Sequence, residues 1–193
     1  EDAYDRGRLM GTFAEDCADK YRFSREAQDR YAITSLTRAQ ETIRSGRFAG
    51  EIAPVTITGG KSVAKVEQDE QPLKANPDKI PQLKPAFRKD GTVTAANSSS
   101  IADGAAAMVL MRLSEAEKRG IAPLAKIAGY STHSQEPRWF TTAPVGAVRK
   151  LFERTGWDAK STDLFEINEA FAVVAMAAMH DLALPHEKVN VHG

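Results

Sequence analysis

Two polar residues stand where a strand-like run gives way to a helix-like one. Leu164, Phe165 and Ile167 are apolar and strand-like, Phe171 opens a long apolar stretch, and Asn168 and Glu169 lie between them. In a parallel α/β sheet that junction is the carboxyl end of a strand, where ligands bind. A helix that starts there turns unpaired backbone N–H groups toward the crevice. Asn168 therefore has two readings: a helix N-cap, for which Asn is a preferred residue, or a carboxamide aimed at a substrate. The other chemistry-bearing side chains are scattered. Cys17 is the single cysteine of the chain. A nucleophilic thiol needs a base beside it, and none is identifiable, so Cys17 reads as a small buried residue. His133 has no partner motif around it and reads as a surface or hydrogen-bonded histidine. Lys74, Lys79 and Lys84 fall in a stretch rich in Pro, Lys, Asp and Gln. They are ordinary solvated charges, or point charges for a phosphate group.

The elements that would hold these groups follow from the patterning. Thr12 and Glu15 have the spacing of a capping box and predict a helix running to about Lys20. Ser24 caps a second helix that Gly46 ends, with Ala32, Leu36, Ala39 and Ile43 on one apolar face. Ile52–Thr58 and Ser62–Val66 alternate polar with apolar around Gly59-Gly60, which predicts a hairpin with a tight two-residue turn. Glu67–Pro85 reads as a surface loop. Ala105–Met111 reads as a buried strand. Ser114 and Glu117 form a further capping box with Gly120 as its stop, and a domain boundary falls about there. Beyond it come a strand at Leu124–Tyr130 and a polar and aromatic loop at Ser131–Phe140. A helix follows at Thr142–Thr155, with Pro144 in its first turn and Gly156 after its end. A strand at Leu164–Ile167, a helix at Glu169–Leu184 and a third strand at Val189–Val191 complete the chain. Strand, helix, strand, helix, strand with short connections predicts βαβαβ and a parallel sheet. The last helix is apolar nearly all round, so it is buried on every side or spans a membrane; His180 and Asp181 near its end favour burial.

Bulk properties exclude several classes. The chain has 193 residues, with 26 basic and 26 acidic side chains that cancel. No nucleic-acid partner is expected from that balance, and no apolar run reaches the ~18 residues of a membrane span. One cysteine excludes an internal disulfide framework and suits a reducing compartment, so a cytoplasmic location is expected. Without further information the elements describe an α/β nucleotide-binding module. Against that, neither a Gly-x-Gly-x-x-Gly nor a Lys-Ser/Thr phosphate loop is present.

Four motifs carry a more specific resemblance. Asn168-Glu169-Ala170-Phe171, Met10-Gly11-Thr12, Gly91–Ala107 and Asn190–Gly193 resemble conserved stretches of the thiolase family, in its acetyl-CoA acetyltransferase branch. The similarity runs along essentially the whole chain and covers the middle and part of the C-terminal half of such an enzyme. It implies an α/β fold that is α-β-α-β-α layered in the full protein and partial here. Residues 1–92 would be the loop-domain region, 93–118 the end of the N-terminal domain, and 119–193 the first part of the C-terminal domain.

The resemblance also implies roles. Asn168 would be catalytic, holding a water that stabilises an enolate or oxyanion. Met10 would contact the pantetheine arm, although Leu9 stands where many members have His. Lys74 and Lys79 would meet the nucleotide end of coenzyme A, and Phe87 would pack on the coenzyme. Ala95, Ala96 and Ser99 would line the pantetheine tunnel, where small residues allow close backbone approach. Phe140 would shape the acyl pocket, and Phe171 belongs to the same substrate-binding set. Leu36 replaces a tyrosine that accompanies potassium in some members, so no metal is expected. The family's acylated cysteine lies upstream of the Met-Gly motif, which argues against Cys17. Asn190-Val191-His192-Gly193 resembles the opening of a signature that continues to Gly-His-Pro, and His192 is a variable position in it. The implied reaction condenses two acetyl-CoA to acetoacetyl-CoA and coenzyme A, with no cofactor beyond the thioester itself and through an acyl-cysteine outside these residues. The 193 residues alone are expected to be inactive. A degradative 3-ketoacyl-CoA thiolase and a non-catalytic carrier of coenzyme A thioesters are the alternatives. A homo-oligomer, a tetramer by resemblance, is expected because the loop domain makes such contacts in the family.

Overall fold

The computed structural model describes residues 1–59 and 63–193. Its centre is helix α6, Ala172–Leu182, whose Val173, Ala175 and Ala177 have no exposed surface. Three other helices surround it: α1 (Met10–Tyr21), α2 (Arg25–Arg44) and α5 (Ala143–Thr155). The 3-10 segment Pro137–Thr142 fills the remaining side. The all-round apolar character expected of α6 is thus accounted for by burial among helices. Burying Val173 and Val174 contributes roughly 1.5–3 kcal/mol each. Among the described residues no helix is long and apolar enough to cross a membrane.

Several local expectations hold. Ser24 caps α2, its hydroxyl accepting the Ala27 N–H. Pro144 lies in the first turn of α5, and Gly156 ends it with a left-handed φ of 73°. Strands β1 (Val55–Ile57) and β2 (Ala64–Val66) pair antiparallel, Val55 opposite Val66 and Ile57 opposite Ala64. The expected turn at Gly59-Gly60 lies partly outside the described residues.

Others are corrected. Thr12 does not cap α1: it is inside the helix, behind an extended Leu9, and its hydroxyl donates to the Leu9 carbonyl. Glu15 faces the interior and binds the segment after Gly91. Ser114 likewise lies within the first turn of α4 (Leu113–Lys118), which starts after Arg112 without a side-chain cap. The surface loop at Glu67–Pro85 contains a short helix α3 (Glu70–Lys74) and a 3-10 turn, Pro77–Gln82, that buries Ile80. Asp69 and Asn76 cap them through their side chains, so turn-forming residues built helical turns rather than irregular backbone.

The strands expected at Ala105–Met111 and Leu124–Tyr130 have no sheet partner among the described residues, and Met108, Val109 and Leu124 are exposed. Apolar alternation selects a strand only where neighbours supply its hydrogen bonds. The parallel pairing of the C-terminal part is confined to Phe165 and Val189. There the Phe165 N–H donates to the Lys188 carbonyl and the Asn190 N–H to the Phe165 carbonyl, at 2.8 and 2.9 Å. Val189–Val191 does not continue as a strand, because Asn190 turns into the left-handed region at φ 46°.

Candidate functional site

Asn168 is not the cap of α6. The N-cap is Phe171, three residues on, in extended conformation. Asn168 is exposed, and among the described residues its side chain makes no hydrogen bond. It lines a cleft of about 560 Å³ with Ser99, Glu166, Ile167, Glu169, Asn190 and Gly193. Of the two readings, the structure thus leaves a carboxamide free to bind something outside the chain.

The backbone around Asn168 is held from two sides. On one side Ser99 donates its N–H to the Ala170 carbonyl at 3.0 Å and its hydroxyl to the Glu169 carbonyl at 2.6 Å. On the other, Asn190 binds Ile167 at both ends of its peptide geometry. Its Oδ1 accepts the Ile167 N–H and its Nδ2 donates to the Ile167 carbonyl, both at 2.8 Å. The side-chain amide thus supplies the rung that the strand loses when Asn190 turns away. Nδ2 also donates to Glu169 Oε1 at 2.7 Å. The Glu169 carboxylate takes two further hydroxyls from α2: Tyr31 on Oε1 and Ser35 on Oε2, each at 2.7 Å. Neutral donors therefore satisfy this anion, and burial beside it pushes the Tyr31 hydroxyl up in pKa.

A second cleft of about 520 Å³ lies on the other side of Glu169, between α2, α3 and the segment Ala95–Ser100. Ala95, Ala96, Lys79 and Leu36 line it. The segment carrying the alanines is anchored at its start by Glu15, which is 1% exposed. In its middle, the Asn97 side chain accepts the Thr94 N–H and donates to the Thr92 carbonyl. The Asn97 carbonyl accepts the first N–H of α6 from Ala172, which locks this segment to the central helix.

The apolar residues singled out from sequence converge as a third group. Phe171 is edge-to-face with Phe87 at 6.1 Å and meets Phe140 at 6.4 Å; Phe140 in turn meets Phe13 at 6.2 Å. Met10 packs against the same cluster. Gly11 lies so close to Phe87 that a Cβ there would collide with the ring. Phe171 links this wall to Asn168, three residues away. Lys74 stands apart: it is exposed, pairs with Glu70 at 2.8 Å and lines neither cleft. Cys17 is fully buried, and burial pushes its thiol up, the opposite of what a nucleophile requires. His192 lies against Arg47 and Phe48, and His133 contacts Gln135. Among the described residues no group of three or more His, Cys, Asp or Glu is arranged to hold a metal.

Sequence reasoning missed Glu15 and the Tyr31–Ser35–Glu169–Asn190 network. Glu15 carried a signal, its spacing from Thr12, that pointed to the wrong partner. Tyr31 and Ser35 carried none, since they approach Glu169 only through the packing of α2 on α6. His186 stacks on Tyr31 with ring centroids 5.0 Å apart. Burial, followed by the charge of Arg38, lowers its pKa from the ordinary value of 6.5. The folded state therefore binds fewer protons than the unfolded chain. Stability is full above about pH 6.5 and falls as pH drops through the lowered value. Thermal unfolding from pH 8 to pH 5 is expected to show this decline. His186→Phe, which keeps the stack, should flatten it; an unchanged slope would assign the decline to other groups.

The chain as a whole is matched by a known family. The family models described as the thiolase N-terminal domain and the thiolase C-terminal domain match residues 1–114 and 121–193. The chain belongs to the thiolase family. Across its full length it is 48% identical to a probable acetyl-CoA acetyltransferase of Dictyostelium discoideum, of which it covers 46%. It is 44% identical to a cytosolic acetyl-CoA acetyltransferase of Mus musculus, over 95% of this chain and 47% of that protein. A thiolase of Ascaris suum, solved in complex with coenzyme A, superimposes with a TM-score of 0.90 at 40% identity, over 100% of this chain and 51% of that one. The chain spans about half the length of the curated relatives it matches. The fold is accordingly a partial thiolase-like α/β fold.

Proposed function

We propose that the full-length protein is an acetyl-CoA C-acetyltransferase, a transferase of acyl groups acting in fatty acid metabolism. It condenses two acetyl-CoA to acetoacetyl-CoA and coenzyme A, reversibly. The observation that carries this reading is the Asn168 side chain, without a hydrogen bond among the described residues, in a cleft that Ser99 also lines. Deprotonation next to a thioester places charge on the carbonyl oxygen, and a pre-aimed polar donor stabilises that charge. In this reading Asn168 acts through a bound water. Met10, Phe87, Phe140 and Phe171 form the apolar wall along the pantetheine and acyl group, with Ala95, Ala96 and Ser99 on the tunnel side. Lys79 is the better placed of the two lysines for a coenzyme phosphate, since it lines a cleft and carries no ion pair among the described residues. Covalent transfer through a cysteine outside these residues splits the condensation into two easier steps. The reading needs no cofactor beyond the coenzyme A thioester. Residues 1–92 are taken as the loop-domain region, 93–118 as the end of the N-terminal domain and 119–193 as the start of the C-terminal one. A cytoplasmic location is supported by the cytosolic relative, and self-association, with a homotetramer as the proposed form, by the exposed valines and isoleucine of β1 and β2.

The test is thiolysis by the full-length protein, followed at the enolate absorbance of the 3-ketoacyl-CoA across a chain-length series. The C4 substrate acetoacetyl-CoA is expected to give the highest kcat/KM. A preference for long chains would make the protein a degradative 3-ketoacyl-CoA thiolase. Binding of thioester without turnover would make it a carrier. The 193 residues alone should show no turnover, because their one cysteine is buried and they contain no Gly-His-Pro. Robust thiolysis by that polypeptide would overturn the assignment of the chemistry to residues outside it.

A further inference from the structure

The proposed role of Asn168 leaves open what aims it, since its own side chain makes no hydrogen bond among the described residues. Every polar contact around it is made by its neighbours. Ile167 is bound at N–H and carbonyl by the Asn190 side chain. Glu169 is bound through its carboxylate by Asn190, Tyr31 and Ser35. The residues before and after Asn168 are thus fixed by one connected network, and Asn190 is the member that touches both.

We propose that Asn190 and Glu169 are positioning residues for Asn168, fixing its carboxamide in the cleft by holding Ile167 through its peptide groups and Glu169 through its carboxylate. The proposal rests on the catalytic reading of Asn168 given above. Three features of the geometry support it. Asn190 is 4% exposed, and its side-chain N–H groups are spent on Ile167 and Glu169. Its backbone sits at φ 46°, a conformation in which Asn is among the few non-glycine residues tolerated. That turn removes Asn190 from the strand and brings its amide level with Ile167. Finally, Glu169 makes no ion pair among the described residues, so its carboxylate acts as an acceptor for neutral donors. Three acceptor contacts on one carboxylate specify an orientation more tightly than a single exposed ion pair does.

A positioning role makes a distinctive prediction. Displacing a catalytic group by about 1 Å can cost on the order of 100-fold in rate without changing the contacts that bind substrate. The experiment uses the full-length protein and five variants: Asn168→Ala, Asn190→Gly, Glu169→Gln, and each of the latter two combined with Asn168→Ala. Glycine at 190 keeps the left-handed backbone and removes the amide. Glutamine at 169 keeps the shape and replaces one acceptor oxygen with a donor. Asn190→Gly and Glu169→Gln are each expected to lower kcat by about 10-fold to 100-fold, with KM for acetoacetyl-CoA within about threefold. In the Asn168→Ala background neither should lower kcat further, because they act through Asn168. Wild-type kcat in Asn190→Gly and Glu169→Gln, with Asn168→Ala impaired, would overturn the positioning proposal and leave the catalytic reading standing. A loss that persists in full in the Asn168→Ala background would also overturn it, since these residues would then act by another route. Wild-type turnover in Asn168→Ala would overturn the catalytic reading, and the proposal with it. If Asn190→Gly does not accumulate as folded protein, Glu169→Gln carries both comparisons.

Discussion

Asn168→Ala in the full-length protein is expected to lower the turnover number by about 100-fold to 1,000-fold while leaving the melting temperature nearly unchanged. The two halves of that statement come from the same observation. The Asn168 side chain is exposed in the cleft and bonds to nothing among the described residues, so the folded state loses no interaction when it is truncated. Substitutions of this kind stay within about 0.5 kcal/mol of wild-type stability. On the proposed function, what is removed is a donor that matters only when charge develops on the thioester oxygen. An interaction made only in the transition state lowers kcat and kcat/KM together. KM for acetoacetyl-CoA should therefore stay within about threefold, since the apolar wall around Phe171 is untouched. Asn168→Asp is a sharper variant: it keeps the size but sets a negative charge against the developing enolate, so its loss should equal or exceed that of alanine. Steady-state thiolysis and thermal unfolding of the same preparations decide the matter. A turnover number equal to wild type would reduce Asn168 to a surface residue near the entry of α6.

The second large effect is on stability and falls on a residue with no chemistry of its own. Glu15→Ala should destabilise the full-length protein by roughly 3–5 kcal/mol. The Glu15 carboxylate accepts the Thr92 N–H at 2.9 Å, the Val93 N–H at 3.0 Å and the Thr92 hydroxyl at 3.1 Å. Thr92 in turn accepts Gln28 Nε2 at 2.8 Å. Truncation strands two backbone donors in the interior, each costing about 1–3 kcal/mol, and leaves a cavity as well. Val93, which follows directly, has no exposed surface, so the donors cannot turn to solvent without opening the core. The melting temperature should fall by on the order of 10 °C. Glu15→Gln keeps one acceptor and should lose less. Gly91→Ala approaches the same result from the other side, since a Cβ at Gly91 would collide with the Glu15 carboxylate. A functional consequence is attached. This contact anchors the segment that carries Ala95, Ala96 and Ser99, so surviving Glu15→Ala protein should bind acyl-CoA more weakly. A melting temperature within about 2 °C of wild type would show that Asn97 and Ser99 hold the segment without help.

The pattern of residues was sufficient to single out positions that the structure places at two clefts, because local chemistry marks them. The junction of an apolar strand with an apolar helix marked Asn168; small residues marked Ala95–Ser99; helix caps at Ser24 and Gly156 came from side-chain and backbone preferences that act within one turn. The burial of the first half of α6 also followed from its composition, since no polar stripe was available there to face water, whereas His180 near its end is exposed. These features depend on neighbours close in the chain, and a linear sequence contains them.

What the tertiary structure alone decided were the partners. Glu15 is a plausible N-terminal carboxylate by spacing, yet it binds backbone donors of Thr92 and Val93, 77 and 78 residues away. Glu169 looks like a helix-start carboxylate, yet its donors come from Tyr31, Ser35 and Asn190. The continuous apolar run Ala105–Met111 is a signal for a buried strand, yet it forms no strand without a neighbouring ladder. A carboxylate or a strand satisfies its hydrogen bonds with whatever the packing of helices brings within 3 Å, and that choice is made by the global arrangement of α1, α2 and α6. The sequence by itself determined the family, the long helices and the place of Asn168 between strand-like and helical runs; the fold determined which groups hold the residues on either side of it.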